Sequence, residues 1–323
     1  MLSLDFPPLP LARFRFDLEV IDALTLPAYK GATLRGGFGY AFKKMVCKQA
    51  DWRACNPCQG GNDCPYGYIF ETSVPPDSQV LTSLREVPIP FVLEPALDDL
   101  RTAYFPGNLL SFNLFLIGRA IQYLPYFLLA FEELGRAGLG KDGGRAVLKR
   151  IQALHPWRSD SELIFDGVEV HVSRRDLTVT PAEIAARAAA FHPQRLAIDF
   201  FTPTRIKHRD QYVTQPDFHI LVRALARRIS SLAYFHTGVL WQTDFNAIFD
   251  AAAQVQTLRQ QVSWSDWDRY STRQQQRMHL GGFAGWAEYE GDLQPFLPLL
   301  ALGELTHVGK ATVFGHGWYQ VRV

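Results

Sequence analysis

The sequence of 323 residues lacks several features that would each place it in a particular class of protein. No apolar run reaches the ~20 residues that a membrane-spanning helix needs, because residues 109–117 and 123–131 are too short or interrupted. The formal net charge is only +1, so an anion-binding site has to come from a local cluster of basic residues. The N-terminus has no basic region ahead of an apolar stretch, which argues against a secretory signal. We therefore expect a soluble cytoplasmic protein.

Cysteine is scarce, and its few occurrences lie between residues 47 and 64. Such crowding in a long chain favours a metal site over a disulfide framework. Cys55 and Cys58 form a CxxC pair, and Cys47 and Cys64 flank it at spacings of seven and five residues. Four thiolates suit a structural zinc ion, although an iron–sulfur cluster would use the same ligands. Free thiols are the other interpretation. Because four thiolates leave no open coordination position, we expect no cofactor for catalysis.

The C-terminal residues 281–323 combine an apolar segment, a glycine-rich loop and an alternating terminal run. Residues 296–305 are long enough for a helix, and residues 318–323 alternate like a strand. Gly309, Gly315 and Gly317 permit positive φ and the close approach of another backbone, while Lys310 favours an anionic ligand. Nucleotide-binding loops have the reverse order, from strand to helix. A plain helix-to-strand turn is the alternative.

Residues 32–46 have the spacing of an amphipathic helix. Its predicted buried face consists of Leu34, Phe38, Phe42 and Val46. The basic side chains on or next to it are Lys30, Arg35, Lys43 and Lys44. Gly36, Gly37 and Gly39 each lower helix propensity by roughly 1 kcal/mol relative to alanine, so we expect these glycines to admit a ligand. A solvated helix face is the alternative interpretation of the charges.

The chain repeats one layout. Residues 125–151 and 295–323 both read as an apolar helix, a Gly/Lys loop and a candidate strand. A strand at 12–20 leads into the basic helix, and a strand at 196–201 leads into a second basic helix at 217–235. Two strand–helix–strand–strand–helix–strand units would account for the length. We predict an α+β fold with two tandem ferredoxin-like (RRM-like) domains. The first spans residues 1–180 with the inserted four-cysteine segment 47–64, and the second spans 190–323 with the glycine-rich loop 303–317.

Several motifs together carry a family resemblance. They are LRGGFGYAF (34–42), CPYGYIFE (64–71), GLGKDGG (138–144), FFTPTRIK (200–207), LGGFAGWAEYEGD (280–292) and GELTHVGKATVFGHG (303–317). In these motifs, which extend over nearly the full length, the chain resembles the precursor-crRNA processing endoribonucleases of the RAMP superfamily of CRISPR proteins. The resemblance implies metal-independent cleavage of CRISPR repeat RNA in precursor transcripts to mature crRNA. The ribose 2′-hydroxyl attacks in line and leaves a 2′,3′-cyclic phosphate and a 5′-hydroxyl.

Many members of that family carry a catalytic histidine in the first helix, but here no histidine precedes His155. The catalytic candidates are therefore Tyr40 and Lys44, four residues apart on one helix face, and His208. Basic neighbours of His208 would lower its pKa and keep it neutral, as a general base requires, although an exposed loop histidine is the alternative. The predicted RNA-binding residues are Lys30, Arg35, Lys43, Arg205, Lys207, Arg209, Gly309, Lys310, Gly315 and Gly317, with Phe38 and Phe314 as stacking aromatics.

Two other interpretations stay open. A non-catalytic RAMP protein would hold crRNA as a subunit of a CRISPR effector complex, binding RNA without cutting it. A metal-cluster protein with a degenerate RNA site would contact RNA weakly and without salt dependence. The expected partners are CRISPR repeat RNA or crRNA and effector-complex subunits, and no membrane.

Overall fold

The computed structural model describes residues 6–53, 60–74, 78, 87–171, 175–266, 268–271 and 276–323. The chain divides into two compact units. The first unit comprises Leu9–Val179 together with Phe235–Thr237, and the second comprises Thr180–Tyr234 and Gly238–Val323 with the N-terminal residues up to Pro8. Within the described ranges, no helix is both long and apolar enough to cross a membrane.

Within its described residues, the first unit combines strands with three α-helices. Its strands are β1 (Leu11–Val20), β2 (Leu24–Thr25), β3 (Phe91–Pro95), β4 (Ala103–Tyr104), β5 (Leu109–Ile117), β6 (Ala146–Leu154) and β7 (Ser161–Phe165). Its α-helices are α1 (Gly31–Val46), α2 (Pro65–Phe70) and α3 (Leu124–Ala137), with short 3-10 turns at Gly61–Asp63 and Gly118–Tyr123.

The main sheet of the first unit has the order β3-β5-β1-β6-β7, and every neighbouring pair is antiparallel. Without β7, which extends the edge beyond β6, this is the strand order of a ferredoxin-like split βαβ unit. Phe16 of β1 is fully buried and packs against Phe131 of α3, with ring centroids 5.1 Å apart. Because apolar and polar residues alternate in β1, one face of the strand packs against the helices.

The apolar face of α1 packs onto α3. Phe38 is fully buried and stacks on Phe127 and Phe131, at centroid distances of 4.9 and 4.6 Å. The expectation that Phe38 is an exposed stacking aromatic is therefore wrong. Gly37 also serves this contact, because a Cβ there would lie 2.6 Å from Cδ1 of Leu134. At this position the glycine admits a neighbouring helix rather than a ligand.

The second unit begins with a helix and ends with a strand. Its strands are β8 (Arg195–Thr204), β9 (Lys207–His208), β10 (Gln211–Tyr212), β11 (Gln256–Ser265), β12 (Asp268–Ser271), β13 (Gln276–His279), β14 (Gly282–Glu290) and β15 (Tyr319–Val321). Its α-helices are α4 (Pro181–Ala189), α5 (Phe218–Thr237), α6 (Phe245–Ala252) and α7 (Leu297–Thr306), with 3-10 turns at Gln294–Phe296 and Thr312–Phe314. The last three residues of α5 are grouped with the first unit.

The sheet of the second unit has the order β11-β14-β8-β15, again antiparallel throughout. Each strand has a counterpart at the same position in the first sheet, so the predicted α+β fold with tandem ferredoxin-like units is confirmed. Outside the repeated unit, α4 begins with a capping box in which Thr180 and Glu183 bond each other's backbone. Arg187 of α4 binds Glu304 of α7 through two hydrogen bonds of 2.9 and 2.8 Å, which fixes α4 against the helical layer.

Candidate nucleic-acid interface and active site

Lys30, at the start of α1, is a buried structural residue. Only 1% of it is exposed, and its ammonium group donates hydrogen bonds to the backbone carbonyls of Ala28, Asp99 and Arg101. Burial lowers its pKa, and the nearby Asp99 carboxylate acts in the opposite direction. This lysine anchors the start of α1 to the chain ahead of β4 and presents no open face to a phosphate.

Two further cations of α1 lie over aromatic rings. The Arg35 guanidinium is 5.0 Å from the centre of the Phe70 ring, and the Lys43 ammonium is 5.2 Å from that of Tyr66. Lys43 is also largely buried. Both rings belong to α2, so these predicted RNA-binding residues contribute cation–π contacts between α1 and α2.

Tyr40 and Lys44 lie one turn apart on the exposed side of α1. Tyr40 is half exposed, and its hydroxyl oxygen accepts a hydrogen bond of 3.1 Å from Arg53. The Lys44 ammonium is 2.7 Å from Glu133 of α3. Glu133 also binds Arg136, and hydrogen bonds from these two cations hold the pKa of its carboxyl below the usual range. Lys44 is thus partly neutralised, whereas the phenol of Tyr40 is open to a substrate.

In the second unit, the glycine segment after α7 lies along the end of β8. The Thr202 hydroxyl donates to the Gly315 carbonyl at 2.9 Å and accepts from the Trp318 amide at 2.9 Å. The amide of Lys310 donates to the Arg205 carbonyl at 2.9 Å. These backbone and hydroxyl hydrogen bonds therefore hold Lys310 next to Arg205, in the short connection between β8 and the β9–β10 hairpin.

The glycines of this segment make room for the chain itself. Gly309, Gly315 and Gly317 all have positive φ, at 85°, 84° and 69°. A Cβ at Gly309 would lie 2.5 Å from the Arg205 carbonyl oxygen, and one at Gly317 would overlap the Val308 carbonyl oxygen. The sequence suggested that a ligand comes close to these glycines, but at Gly309 and Gly317 the protein's own backbone occupies that space. Lys310 is exposed, so its side chain lies in solvent.

The β9–β10 hairpin carries the densest run of basic side chains. Arg209 and Asp210 form its two-residue turn, both with left-handed backbone, at φ 47° and 65°. Lys207 forms an ion pair of 2.7 Å with Asp210 across this turn. At the base of the hairpin, the Arg205 guanidinium lies 3.9 Å from the centre of the Tyr212 ring. The ring contact orients Arg205 and the ion pair orients Lys207, while Arg209 is exposed at the turn.

His208 lies on the inner side of this hairpin, half-buried, with its ring centroid 6.0 Å from that of His219. Burial lowers the pKa of His208, and electrostatic interactions with Arg209, His219 and Arg223 lower it further, while Asp217 opposes them. His208 is thus held in the neutral form that a general base needs.

His219 and Arg223 of α5 complete this cluster, and the sequence prediction did not include His219. The two residues are four apart, so they share one helix face. The Arg223 guanidinium lies 4.0 Å from the centre of the Phe249 ring of α6. The helical spacing was visible in the sequence, but the fold of the hairpin back onto the start of α5 was not.

Other histidines of the second unit pack inside it. His307 and His316 are buried, and the His307 ring is bonded to the His316 carbonyl at 3.0 Å and stacks on Trp318. Burial, followed by the charges of His307 and Arg205, lowers the pKa of His316 to about 4. Neither side chain is exposed to a substrate.

Two family models match the chain. Residues 9–177, just over half of its length, match the model AF_1859_N, described as an N-terminal domain. Residues 198–319 match the model of the CRISPR-associated endoribonuclease Cas6. Residues 198–319, a little over a third of the chain, therefore belong to the Cas6-type family of CRISPR proteins. This family consists of RNA-cleaving enzymes of CRISPR RNA processing, which confirms the resemblance seen in the sequence motifs.

Solved Cas6 structures share the fold. The Cas6 (TTHB231) product complex has a TM-score of 0.58 at 15% identity, over 97% of this chain and 99% of that chain. Thermus thermophilus Cas6 (TTHB231) has a TM-score of 0.52 at 13% identity over the same shares. A partial Cas6-RT-Cas1–Cas2 complex has a TM-score of 0.59 at 14% identity, over 100% of this chain and 47% of that chain. An uncharacterized protein of Archaeoglobus fulgidus is 25% identical over 308 residues, 92% of this chain and 93% of the relative.

The four cysteines of this Cas6-type chain are only partly described. Cys47 follows the last residue of α1 and Cys64 precedes the first residue of α2, and both are half-buried free thiols. Cys55 and Cys58 lie outside the described residues. Among the side chains that are described, no group of three or more His, Cys, Asp or Glu is arranged to hold a metal ion. The four-thiolate site therefore stays a prediction.

Proposed function

We propose that this protein cuts CRISPR repeat RNA in precursor transcripts by metal-independent attack of a ribose 2′-hydroxyl. The products are a 2′,3′-cyclic phosphate on the upstream fragment and a 5′-hydroxyl on the downstream one. Membership in the Cas6-type family supports RNA cleavage. The observation that carries the mechanism is His208, an imidazole of lowered pKa that lies beside His219 and close to Arg209 and Arg223 in the second unit.

The reaction needs a base, cations beside the phosphate and a fixed geometry. His208 is the proposed base, because a half-buried neutral imidazole can take the proton of the 2′-hydroxyl near pH 7. The exposed side chains of Arg209, Arg223 and Lys310 are the proposed phosphate contacts, with Arg205 and Lys207 at the base of the hairpin. Arg205 and Arg223 are each held over an aromatic ring, so little conformational freedom is lost when they bind a phosphate.

Tyr40 and Lys44 of α1 are the rival catalytic pair. The exposed phenol oxygen of Tyr40 accepts a hydrogen bond from Arg53, so a cation lies directly beside this candidate catalytic group. Lys44 would have to leave Glu133 before it could act on a phosphate. We favour His208 because its neutral form needs no rearrangement. Variants of both sites in one cleavage assay decide between them.

We also propose that Cys47, Cys55, Cys58 and Cys64 hold a structural zinc ion. The two described thiols are in no disulfide and lie where α1 ends and α2 begins, so a bound metal would tie these two ends together. Metal analysis of the purified protein tests this proposal independently of catalysis. One equivalent of zinc in the wild type that is absent from Cys58→Ser supports the proposal. A wild-type protein that is equally stable to heat with and without metal contradicts it.

A second function, that of a non-catalytic RNA-binding subunit, is favoured by one observation. No histidine precedes His155, so the base that many relatives carry in the first helix is absent. Such a subunit would hold crRNA within an effector assembly. One structural neighbour is a Cas6-RT-Cas1–Cas2 complex, in which Cas6 occurs together with other CRISPR proteins. The same assay distinguishes the two functions, since the subunit binds repeat RNA and leaves it intact.

The test is incubation of the purified protein with an RNA carrying one CRISPR repeat of the source genome, in excess EDTA. The matched control RNA has a 2′-deoxyribose directly upstream of the mapped cleavage position, which removes the nucleophile and keeps the phosphates. We expect one cut in the ribose substrate, a cyclic phosphate and a 5′-hydroxyl at the new ends, and binding without cleavage of the control. Cleavage only after addition of a divalent metal contradicts the mechanism, and tight binding without cleavage favours the subunit function.

A further inference from the structure

We propose that His219 is the general acid that protonates the leaving 5′-oxygen, opposite His208 as the base. This inference rests on the proposed function, because it assigns the second proton transfer of the same cleavage reaction. Neither the sequence motifs nor the family match points to His219. Its position beside His208 follows only from the way the β9–β10 hairpin folds against the start of α5.

The two imidazoles are placed as the two sides of a phosphodiester site. Their centroids are 6.0 Å apart and their planes are inclined by 85°. The rings come from different elements, His208 from β9 and His219 from the first turn of α5, so each is held by its own backbone. In an in-line displacement the attacking and leaving oxygens lie on opposite sides of phosphorus, and each needs one group within hydrogen-bond reach, roughly 2.6–3.2 Å. Two separate rings satisfy this requirement, whereas a single ring cannot.

The charges around the pair favour His208 as the base. The groups that face His208 are Arg209 from the hairpin turn, Asp217 just ahead of α5, and His219 and Arg223 within α5. Burial and this mainly cationic setting lower the pKa of His208 and keep it neutral in the free protein. A phosphodiester bound between the rings would have the charges of Arg209 and Arg223 close to it. The role of acid then falls to His219, the ring on the other side of the phosphate.

The chemical step is balanced without any further reagent. The 2′-oxygen forms a bond to phosphorus as its proton passes to His208, and the bond between phosphorus and the 5′-oxygen breaks as that oxygen takes the proton of His219. The products are the cyclic phosphate and the 5′-hydroxyl. His208 is then protonated and His219 neutral, and exchange with water through the open side of the hairpin restores the starting state.

A substrate with a better leaving group separates an acid from a merely structural residue. A 5′-bridging sulfur at the cleavage position leaves as a thiolate and needs no proton. On the ordinary RNA in single-turnover conditions, we expect His208→Asn and His219→Asn each to lose about 10²-fold or more in rate, which is typical for removal of a general acid or base. On the 5′-thio RNA, His219→Asn should come within about threefold of wild type, while His208→Asn should stay slow.

Two controls keep the result interpretable. His171→Asn removes a half-exposed histidine of the first unit that pairs with Asp166, and it should leave both rates unchanged. Thermal unfolding of His219→Asn shows whether the variant is folded, and His219→Gln provides a second variant if it is not. A folded His219 variant that cuts ordinary RNA at the wild-type rate, or stays equally slow on the 5′-thio RNA, overturns the inference. If the wild-type protein cuts neither substrate, the proposed function itself has failed.

Discussion

Gly317→Ala tests whether the glycine segment is shaped by the protein's own backbone. Gly317 has φ of 69°, and an alanine methyl group there would overlap the Val308 carbonyl oxygen. The cost has two parts. The left-handed conformation costs roughly 1–2 kcal/mol for a residue with a Cβ. The overlap also disturbs two backbone bonds, Val308 N–H to the Gly317 carbonyl at 3.0 Å and Gly317 N–H to the Pro203 carbonyl at 3.1 Å. At about 1–2 kcal/mol each, the total comes to about 3–6 kcal/mol.

Gly238→Ala is the matched control, because it incurs only the first part of that cost. Gly238 ends α5 with φ of 78°, belongs to the same unit, and has no atom within 4 Å of the position that an alanine methyl group would take. We expect Gly238→Ala to lose about 1–2 kcal/mol and Gly317→Ala about 2–4 kcal/mol more, which corresponds to a difference in Tm of roughly 5–15 °C. Thermal unfolding followed by circular dichroism measures both. Equal destabilisation would refute the reasoning and would return the glycine to a role in admitting a ligand.

Three further predictions concern charge and metal. Lys310→Ala should weaken RNA binding, with a loss of about one unit in the slope of log K against log salt, measured by filter binding at several salt concentrations; an unchanged slope removes Lys310 from the interface. Asp17→Asn should destabilise the first unit by about 1–3 kcal/mol at neutral pH, because Asp17 is buried and accepts hydrogen bonds from Arg15 and Arg150. Burial raises the pKa of Asp17, but the hydrogen bonds that its carboxylate accepts from Ser111 and both arginines outweigh this effect, so its folded pKa is lowered. The ionised Asp17 therefore makes its full contribution to the free energy of unfolding above the ordinary carboxyl pKa, and this contribution is lost as the pH falls through the folded pKa. Urea unfolding measures it as the difference between wild type and Asp17→Asn, and a difference of the same size at neutral and acid pH contradicts the prediction. Cys58→Ser should lower both the zinc content and the Tm while leaving cleavage in EDTA unchanged, whereas activity restored only by added zinc would contradict a structural role.

The fold was largely predictable because its signals are local and occur twice. The spacing of Leu34, Phe38, Phe42 and Val46 predicted the buried face of α1. The first three are buried, and Val46, the last residue of the helix, is half-buried. The segment after the first Gly/Lys loop was only a candidate strand in the sequence, with a helix not excluded, and pairing with β1 decides for the strand β6. Periodicity alone cannot make that choice, because the partner strand lies more than a hundred residues away.

The candidate site was less predictable because solvent exposure and long-range neighbours decide it. Lys30 and Phe38 match the sequence pattern of RNA-binding residues, yet one is enclosed by three carbonyl groups and the other by aromatic rings. His219 was missed because its candidate role depends on its position beside His208. The hairpin turn at Arg209 and Asp210 brings the two rings together, and the sequence does not show this. A sequence shows which side chains carry chemistry, whereas the tertiary fold decides which of them meet.

The most direct test of the central claim is the single-turnover rate of repeat-RNA cleavage in EDTA for wild type, His208→Asn and Tyr40→Phe. RNA affinity is measured on the same samples, so that loss of binding is not mistaken for loss of chemistry. We predict one metal-independent cut by the wild type and the larger loss, about 10²-fold or more, for His208→Asn at nearly unchanged affinity. A wild-type rate for His208→Asn together with a slow Tyr40→Phe would contradict this and move the active site to α1.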